Sequence, residues 1–242
     1  MIKVKNITKK YKNKSISRKK YVKYALDDVS IEIHTGSVTA IIGINGSGKT
    51  TLLKSISGLV HPDSGEIFID GEKIGSKVNR DLIFVPDVAT HFAGFSIGQM
   101  MEFYRDFYEN WCDEKAKEML EFFNLKEDEI IDNLSKGNIA KTKLVFAFSM
   151  NTKYIVLDEP FSGIDIFKRE EFSKVMAKYM NEDQAIILST HEIDEIESMV
   201  EYVYIMGNGR IISNFDAEDM RFNEGKSISD KMREVSSYGK DS

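Results

Sequence analysis

The chain carries a single cysteine, Cys112, so no intrachain disulfide can form. That suits a reducing compartment. No apolar run approaches the length needed to span a bilayer, and the first residues lack the apolar core of a signal peptide. The expectation is therefore a cytosolic protein. Acidic residues are missing from the first 24 positions, which hold ten Lys or Arg. The remainder holds 23 basic against 39 acidic residues, so the overall charge of −6 hides a basic end on an acidic body. A basic end suits an anionic partner such as nucleotide, RNA or a lipid surface. It also suits a solvated hairpin whose lysines keep a sheet edge from aggregating, the simpler expectation for Lys14 to Lys23. Internal repeats are absent. The length fits one domain, or a domain with a subdomain, and the apolar content of 42% is enough for a real core.

Alternation of Val29, Ile31 and Ile33 with Ser30 and Glu32 predicts a half-buried strand over 24–33, and 2–7 reads the same way. The basic segment 12–23 would be the loop between them. Val38–Ile42 is a short apolar strand, and a helix is expected over 49–58, ending at a glycine. Strands follow over 66–69 and 82–85. Residues 96–149 change period: Ile97, Met100, Tyr104 and Phe107 recur at helical spacing, as do Ala116, Met119 and Phe123. The segment 139–148 is apolar on more than one face, which predicts a buried helix. Alternation of strand and helix then resumes, with strands over 154–157 and 185–190 and helices over 167–179 and 192–200. A hairpin closes the pattern around Gly207-Asn-Gly209. This predicts an α/β fold, with a mostly parallel sheet and its ligand at the strands' carboxyl ends. Residues 216–242 are polar and charged, and read as an extension.

Two motifs carry chemistry. Gly43-Ile-Asn-Gly-Ser-Gly-Lys-Thr-Thr51 follows the strand 38–42 and fits the P-loop pattern at Gly43, Gly48, Lys49 and Thr50. Its glycines let backbone N–H groups turn inward, and a helix starting near Lys49 adds its positive end. Lys49 would reach the β- and γ-phosphates, and the Thr50 hydroxyl would sit on Mg²⁺. The second motif is Tyr154-Ile-Val-Leu-Asp158-Glu159-Pro160, four apolar residues ending in adjacent carboxylates. A buried strand would deliver Asp158 beside the P-loop to hold Mg²⁺ or its water shell, with Glu159 polarising the attacking water.

With these and four shorter motifs in order, residues 1–215 resemble the ATP-binding cassette (ABC) family of ATPases. The resemblance implies a P-loop NTPase of ABC type: a mostly parallel core, an antiparallel β subdomain and a helical subdomain inserted at about 95–149. It implies ATP and Mg²⁺, and nucleotide contacts from Tyr11 (stacked on adenine), Gly43, Ile44, Asn45, Gly46, Ser47, Gly48, Lys49, Thr50, Thr51 and Asp158. His191, after the strand 185–190, resembles the switch histidine that contacts the γ-phosphate, and Glu159 and His191 are the catalytic candidates. His34, His61 and His91 have no such context. Leu134-Ser135-Lys136-Gly137-Asn138 stands where the family has Leu-Ser-Gly-Gly-Gln, so Lys136 and Asn138 depart from the pattern. Ser135 and Gly137 remain, to touch the γ-phosphate held by a second subunit. A similar Ser-Lys-Gly form occurs in a branch of bacterial exporter cassettes. Ser162, Gly163 and Asp165 resemble the loop that crosses the dimer interface. Asp87 fills the place of a glutamine; shorter and charged, it either contacts Mg²⁺ more tightly or falls short of it.

The resemblance also implies partners: a second ATP-binding subunit, homo- or heterodimeric, and an integral membrane subunit that holds the cassette on the inner face of the membrane. That subunit would dock near the segment after Asp87, which holds seven rings between Phe92 and Trp111. About four should form the helical block's own core on grounds of periodicity. Phe92 and Phe95, outside the helix, are the docking candidates. The implied function is an ATPase driving export of a peptide or drug-like compound, with no specific nucleic acid expected. Two alternatives stand beside it: a soluble ABC-type ATPase with an assembly or RNA-associated role, and a regulatory cassette of a heterodimer.

Overall fold

The computed structural model describes residues 1–13, 21–74, 81–161, 169–191 and 197–238. In chain order β1 (Ile2–Asn13), β2 (Tyr21–Ile33), β3 (Val38–Ile42), α1 (Lys49–Ile56), β4 (Ser64–Ile69), β5 (Glu72–Lys73) and β6 (Leu82–Val85) come first. The helical block follows as α2 (Ile97–Phe107), α3 (Asp113–Phe123) and α4 (Lys136–Ser149). Then come β7 (Tyr154–Asp158), α5 (Arg169–Tyr179), β8 (Ala185–Thr190), β9 (Tyr202–Gly207), β10 (Arg210–Asp216), α6 (Ala217–Glu224) and α7 (Ile228–Tyr238).

The strands form two sheets. β2-β1-β4-β5 is antiparallel, and β10-β9-β3-β8-β7-β6 is parallel except for the β9–β10 hairpin. The six-stranded sheet is covered on both faces, which is why β3, β7 and β8 are buried along their whole length and mostly apolar before their functional ends. Side chains alternate between two cores. Ile155 and Leu157 of β7 face the helices α2 to α5, while Tyr154 and Val156 face α1 and the antiparallel sheet.

The helical block starts at a capping box, in which Ser96 accepts from the Gln99 amide and the Gln99 side chain accepts from the Ser96 amide. Helix α3 ends where Asn124 takes a left-handed conformation at φ 53°. Helix α4 is buried on several sides, as its sequence predicts.

Several boundaries differ from the expectation. β1 runs on to Asn13 and β2 starts at Tyr21, because their ladder continues through Lys10↔Tyr24 and Lys12↔Val22 after the apolar alternation has stopped. Backbone pairing, not burial, extends this hairpin. Residues 14–20 of the basic stretch lie outside the described residues, as do 192–196 of the helix expected over 192–200; residues 197–199 form a turn. The polar stretch after residue 216 forms α6 and α7 up to residue 238. Asp216 caps α6 by accepting from the Glu218 and Asp219 amides, and Ala217, Met220 and Ile228 are buried. One apolar residue per turn suffices to dock each short helix, too few to mark it by composition.

Of the seven rings, Phe95, Phe103, Tyr104 and Trp111 pack against the helical core. Phe95, one of the two docking candidates, is partly buried against that core. Its amide bonds to the Phe92 carbonyl, and its own carbonyl accepts from the Ile131 amide. Phe92, Phe107 and Tyr108 are exposed.

Trp111 and Arg105 both donate to Asp113 at the start of α3, with the guanidinium bidentate at 2.6 and 2.7 Å and the indole at 2.9 Å. The Arg105 guanidinium, helped by the indole and opposed by burial, holds the Asp113 carboxyl at about 2. A carboxyl depressed by folding contributes stability that is complete above its unfolded value near ~4 and lost as pH falls through the folded one. Asp113→Asn should therefore melt lower than the parent at pH 7, with the difference closing as pH drops from 4 to 2. Trp111, the sole tryptophan, reports it by fluorescence. A difference that stays constant across that window would refute the linkage.

Candidate functional site

The site gathers at the carboxyl ends of β3, β7 and β8, neighbours in the parallel sheet. β3 leads into the glycine-rich loop, and Gly48 caps α1 at φ 113°, where a Cβ would collide with the Ala25 carbonyl. Gly46, at φ 82°, has nothing within 4 Å of where a Cβ would stand, so its backbone lies open to the cavity.

Lys49 follows at once, with 5% of its side chain exposed. A buried ammonium needs acceptors. It finds the Gly43 carbonyl at 2.6 Å and Glu159 Oε1 at 3.0 Å. The other Glu159 oxygen meets His191 Nδ1 at 2.8 Å. Glu159 thus bridges Lys49 and His191. Its backbone is left-handed at φ 46°, a strained setting for a residue with a Cβ. The Glu159 amide holds that conformation by donating to the Ser189 carbonyl and hydroxyl oxygens, at 3.2 and 3.0 Å.

Asp158 is 1% exposed. Its Oδ1 accepts from Thr50 Oγ1 at 3.1 Å and Ser189 Oγ at 2.6 Å. Among the described residues Oδ2 has no hydrogen-bond partner. A buried carboxylate oxygen with no donor, beside a threonine hydroxyl, fits a hard cation that takes oxygen ligands. Mg²⁺ is the ion this set suits, and the Ser47 hydroxyl, also buried and unpartnered, adds a polar group to the same loop.

A cavity of about 310 Å³ joins these parts. Its wall takes in Asn45, Gly46, Gly48, Lys49, Thr50, Thr51 and Glu159, with Tyr11, Lys23 and Ala25 on one side and Asp87 on the other. Ile44 is exposed. Tyr11 is 46% exposed, with the Lys9 ammonium 5.9 Å from its ring centroid. Of the sequence-predicted residues, Tyr11, Asn45, Gly46, Gly48 to Thr51, Asp87 and Glu159 line this cavity, while Asp158 and His191 adjoin it through their bonds to Thr50 and Glu159. Ser135, Lys136, Gly137 and Asn138 do not line it. Ser135 is the N-cap of α4, accepting from the Asn138 amide at 3.2 Å; Ser135 and Lys136 are exposed, while Gly137 is buried. Ser162, Gly163 and Asp165 lie outside the described residues.

Sequence reading missed Ser189. This fully buried hydroxyl ties Asp158 to the backbone of Glu159, and the signal was present: a serine in a strand that is apolar on both faces must find a polar partner.

With the geometry in place, relatives decide the family. The family model described as ABC transporter matches residues 26–162, more than half of the chain. The chain belongs to the ABC transporter family. It is an ATP-hydrolysing cassette that uses ATP and Mg²⁺, and such cassettes dimerise and pair with membrane subunits. The cassette is 29% identical over 230 residues to the lipopolysaccharide export system ATP-binding protein LptB of Haemophilus influenzae, covering 90% of this chain and 92% of that one. It is also 29% identical over 234 residues to the petrobactin import ATP-binding protein YclP of Bacillus subtilis, covering 91% and 88%. Among solved structures, an ATP-binding subunit of an ABC transporter matches with a TM-score of 0.81 at 23% identity, covering 98% of this chain and 99% of that one. A dimeric cassette bound to ADP and Pi matches at 0.77 and 24%, covering 90% and 99%. These two likenesses bear on the fold, an ABC-type P-loop NTPase.

Ser189→Ala should cost about 1–2 kcal/mol of stability, the scale of a lost buried hydrogen bond, measured by denaturant melts. Its ATP turnover should fall by about tenfold or more, since two carboxyl-bearing residues lose their shared support. Turnover at the parental rate would show that Ser189 is only structural.

Proposed function

We propose that this cassette binds ATP between its own P-loop and the signature segment of a second subunit, and that closure of the pair drives export by a membrane subunit. The observation that carries the reading is the convergence of Lys49, Thr50, Asp158, Glu159 and His191 at three adjacent strand ends. The signature residues stand apart from that cavity, which supports their use by a partner's nucleotide. On this reading Tyr11 stacks on the base, and the 43–51 backbone with the start of α1 cradles the phosphates. Lys49 leaves Glu159 for the β- and γ-phosphates. Glu159, released and aimed by its strained backbone, orients the attacking water and takes its proton. His191 stabilises charge on the γ-phosphate from the other side. Asp158 and Thr50 would hold Mg²⁺, with Asp87 at the rim; the ion's part is to offset charge on the phosphates. Ser135, Lys136, Gly137 and Asn138 would complete the partner's site, and Ser162, Gly163 and Asp165 would cross the interface.

The docking surface is read as a groove of about 510 Å³ bounded by the edge strand β6, Tyr104, Phe107, Tyr108 and Phe146. Phe92 and Phe107 are exposed beside it. Exposed rings around a concavity suit a short amphipathic helix of the membrane subunit. No helix among the described residues is long and apolar enough to cross a membrane, so the transport path would lie in that partner. The cassette would sit on the cytoplasmic face. Named relatives serve both export and import, and the Ser-Lys-Gly form of the signature supports export, of a peptide or drug-like compound.

Glu159→Gln should bind ATP, release phosphate at a few per cent of the parental rate or less, and elute as an ATP-dependent dimer on sizing chromatography. Lys49→Ala should lose affinity for a fluorescent nucleotide instead. Parental phosphate release by Glu159→Gln would end the assignment of the base. Recovery of the chain from native membranes with an integral membrane protein tests the transporter reading. Salt-steep RNA binding without such a partner would overturn it.

A further inference from the structure

Between the nucleotide cavity and the groove stands one side chain that neither reading uses. Lys143 lies about two turns into α4, followed by the apolar run Leu144 to Phe148. Its ammonium donates to three successive backbone carbonyls, those of Pro86 at 2.9 Å, Asp87 at 2.9 Å and Val88 at 2.7 Å. An ammonium has three protons, so one side chain serves all three oxygens with charge-assisted bonds. These carbonyls lie just past β6, whose ladder with β7 ends at Val85↔Leu157. Asp87 and Val88 are exposed, so water would satisfy them without help. The lysine does something that solvation does not: it fixes the turn to α4. Burial pushes the Lys143 pKa down, and the charge of Asp87 works against that shift. Asp87 lines the nucleotide cavity, and Lys143 lines the groove behind it.

We propose that Lys143 is a positioning residue for Asp87, clamping the 86–88 turn to the helix that carries Ser135, so that the Asp87 carboxylate is held at the Mg²⁺ side of the nucleotide cavity. This rests on the reading of that cavity as the nucleotide site. The signature end of α4 and the Asp87 carboxylate then move as one body, and a ligand in the groove presses on the same clamp.

The test uses the full chain with Lys143→Met, Asp87→Asn and the double variant. A fluorescent ATP analogue is titrated across Mg²⁺ concentrations and in EDTA, and backbone amide exchange over 86–90 is followed by mass spectrometry. Lys143→Met should raise the Mg²⁺ needed for half-maximal binding by about tenfold, the scale of a lost outer-shell partner. Binding in EDTA should be unchanged, and exchange over 86–90 should speed up. Asp87→Asn should give the same Mg²⁺ shift, and the double variant no more than either alone. Should Lys143→Met melt below the assay temperature, Lys143→Gln is read in the same way. An unshifted Mg²⁺ dependence in the folded Lys143 variant, or full additivity in the double, overturns the proposal. If the parent chain binds no analogue, or binds it without regard to Mg²⁺, the nucleotide reading itself has failed.

Discussion

A lysine ammonium with almost no access to water, set among backbone carbonyls and one carboxylate, constrains this whole half of the molecule. Lys49 is tolerable where it stands only because the Gly43 carbonyl and Glu159 meet it. Removing one partner of a buried pair costs about 3–5 kcal/mol, because the charge left behind has lost its solvent and its counter-ion together. The loop must therefore curl as it does, and the end of β7 must reach it. Ser189 of β8 fixes that reach by holding both the Asp158 carboxylate and the Glu159 backbone. Three strands are in effect cross-linked at their functional ends by polar contacts, in a sheet otherwise buried on both faces.

The same contact explains how one carboxylate serves two states. Glu159 here is the counter-ion of Lys49 and lies within hydrogen-bond distance of His191. A nucleotide's phosphates are stronger anions for the same cation, so on the proposed reading binding displaces Glu159 without leaving Lys49 uncompensated. Glu159 then faces the reacting centre already aimed, because its left-handed backbone is held by two bonds from Ser189 that do not involve Lys49. Strain kept at such a position is stable only when its surroundings over-determine it.

What the sequence made legible follows from how local each signal is. β7 and β8 are runs of apolar residues that mark strands buried on both faces, and the spacing of Gly43, Gly48, Lys49 and Thr50 is a local pattern that specifies its own ligand. The second half of β1 was hidden because Lys9 to Lys12 carry no apolar alternation; only pairing with β2 makes them a strand. The C-terminal helices were hidden because their anchors, Ala217 and Met220 in α6 and Ile228, Met232 and Val235 in α7, are spread thinly among polar residues. The partial burial of Phe95 was hidden because the core it packs against, and the Ile131 amide that bonds its carbonyl, come from farther along the chain. Contacts of that kind, like those of Lys143 on the 86–88 carbonyls across 55 to 57 positions, join distant residues through backbone atoms, which no residue-type pattern encodes.

Helix α4 consequently has two working ends. Its start presents Ser135 away from the local P-loop cavity, and two turns later Lys143 grips the turn that carries Asp87 into that cavity. A rigid helix cannot shift one end alone. If closure onto a partner's ATP moves Ser135, the carbonyls held by Lys143 must follow or the three bonds must break, and the groove wall formed by β6 and the rings of α2 lies against the same turn. On the proposed reading the nucleotide site and the groove are therefore coupled through the three hydrogen bonds of Lys143 as well as through general packing.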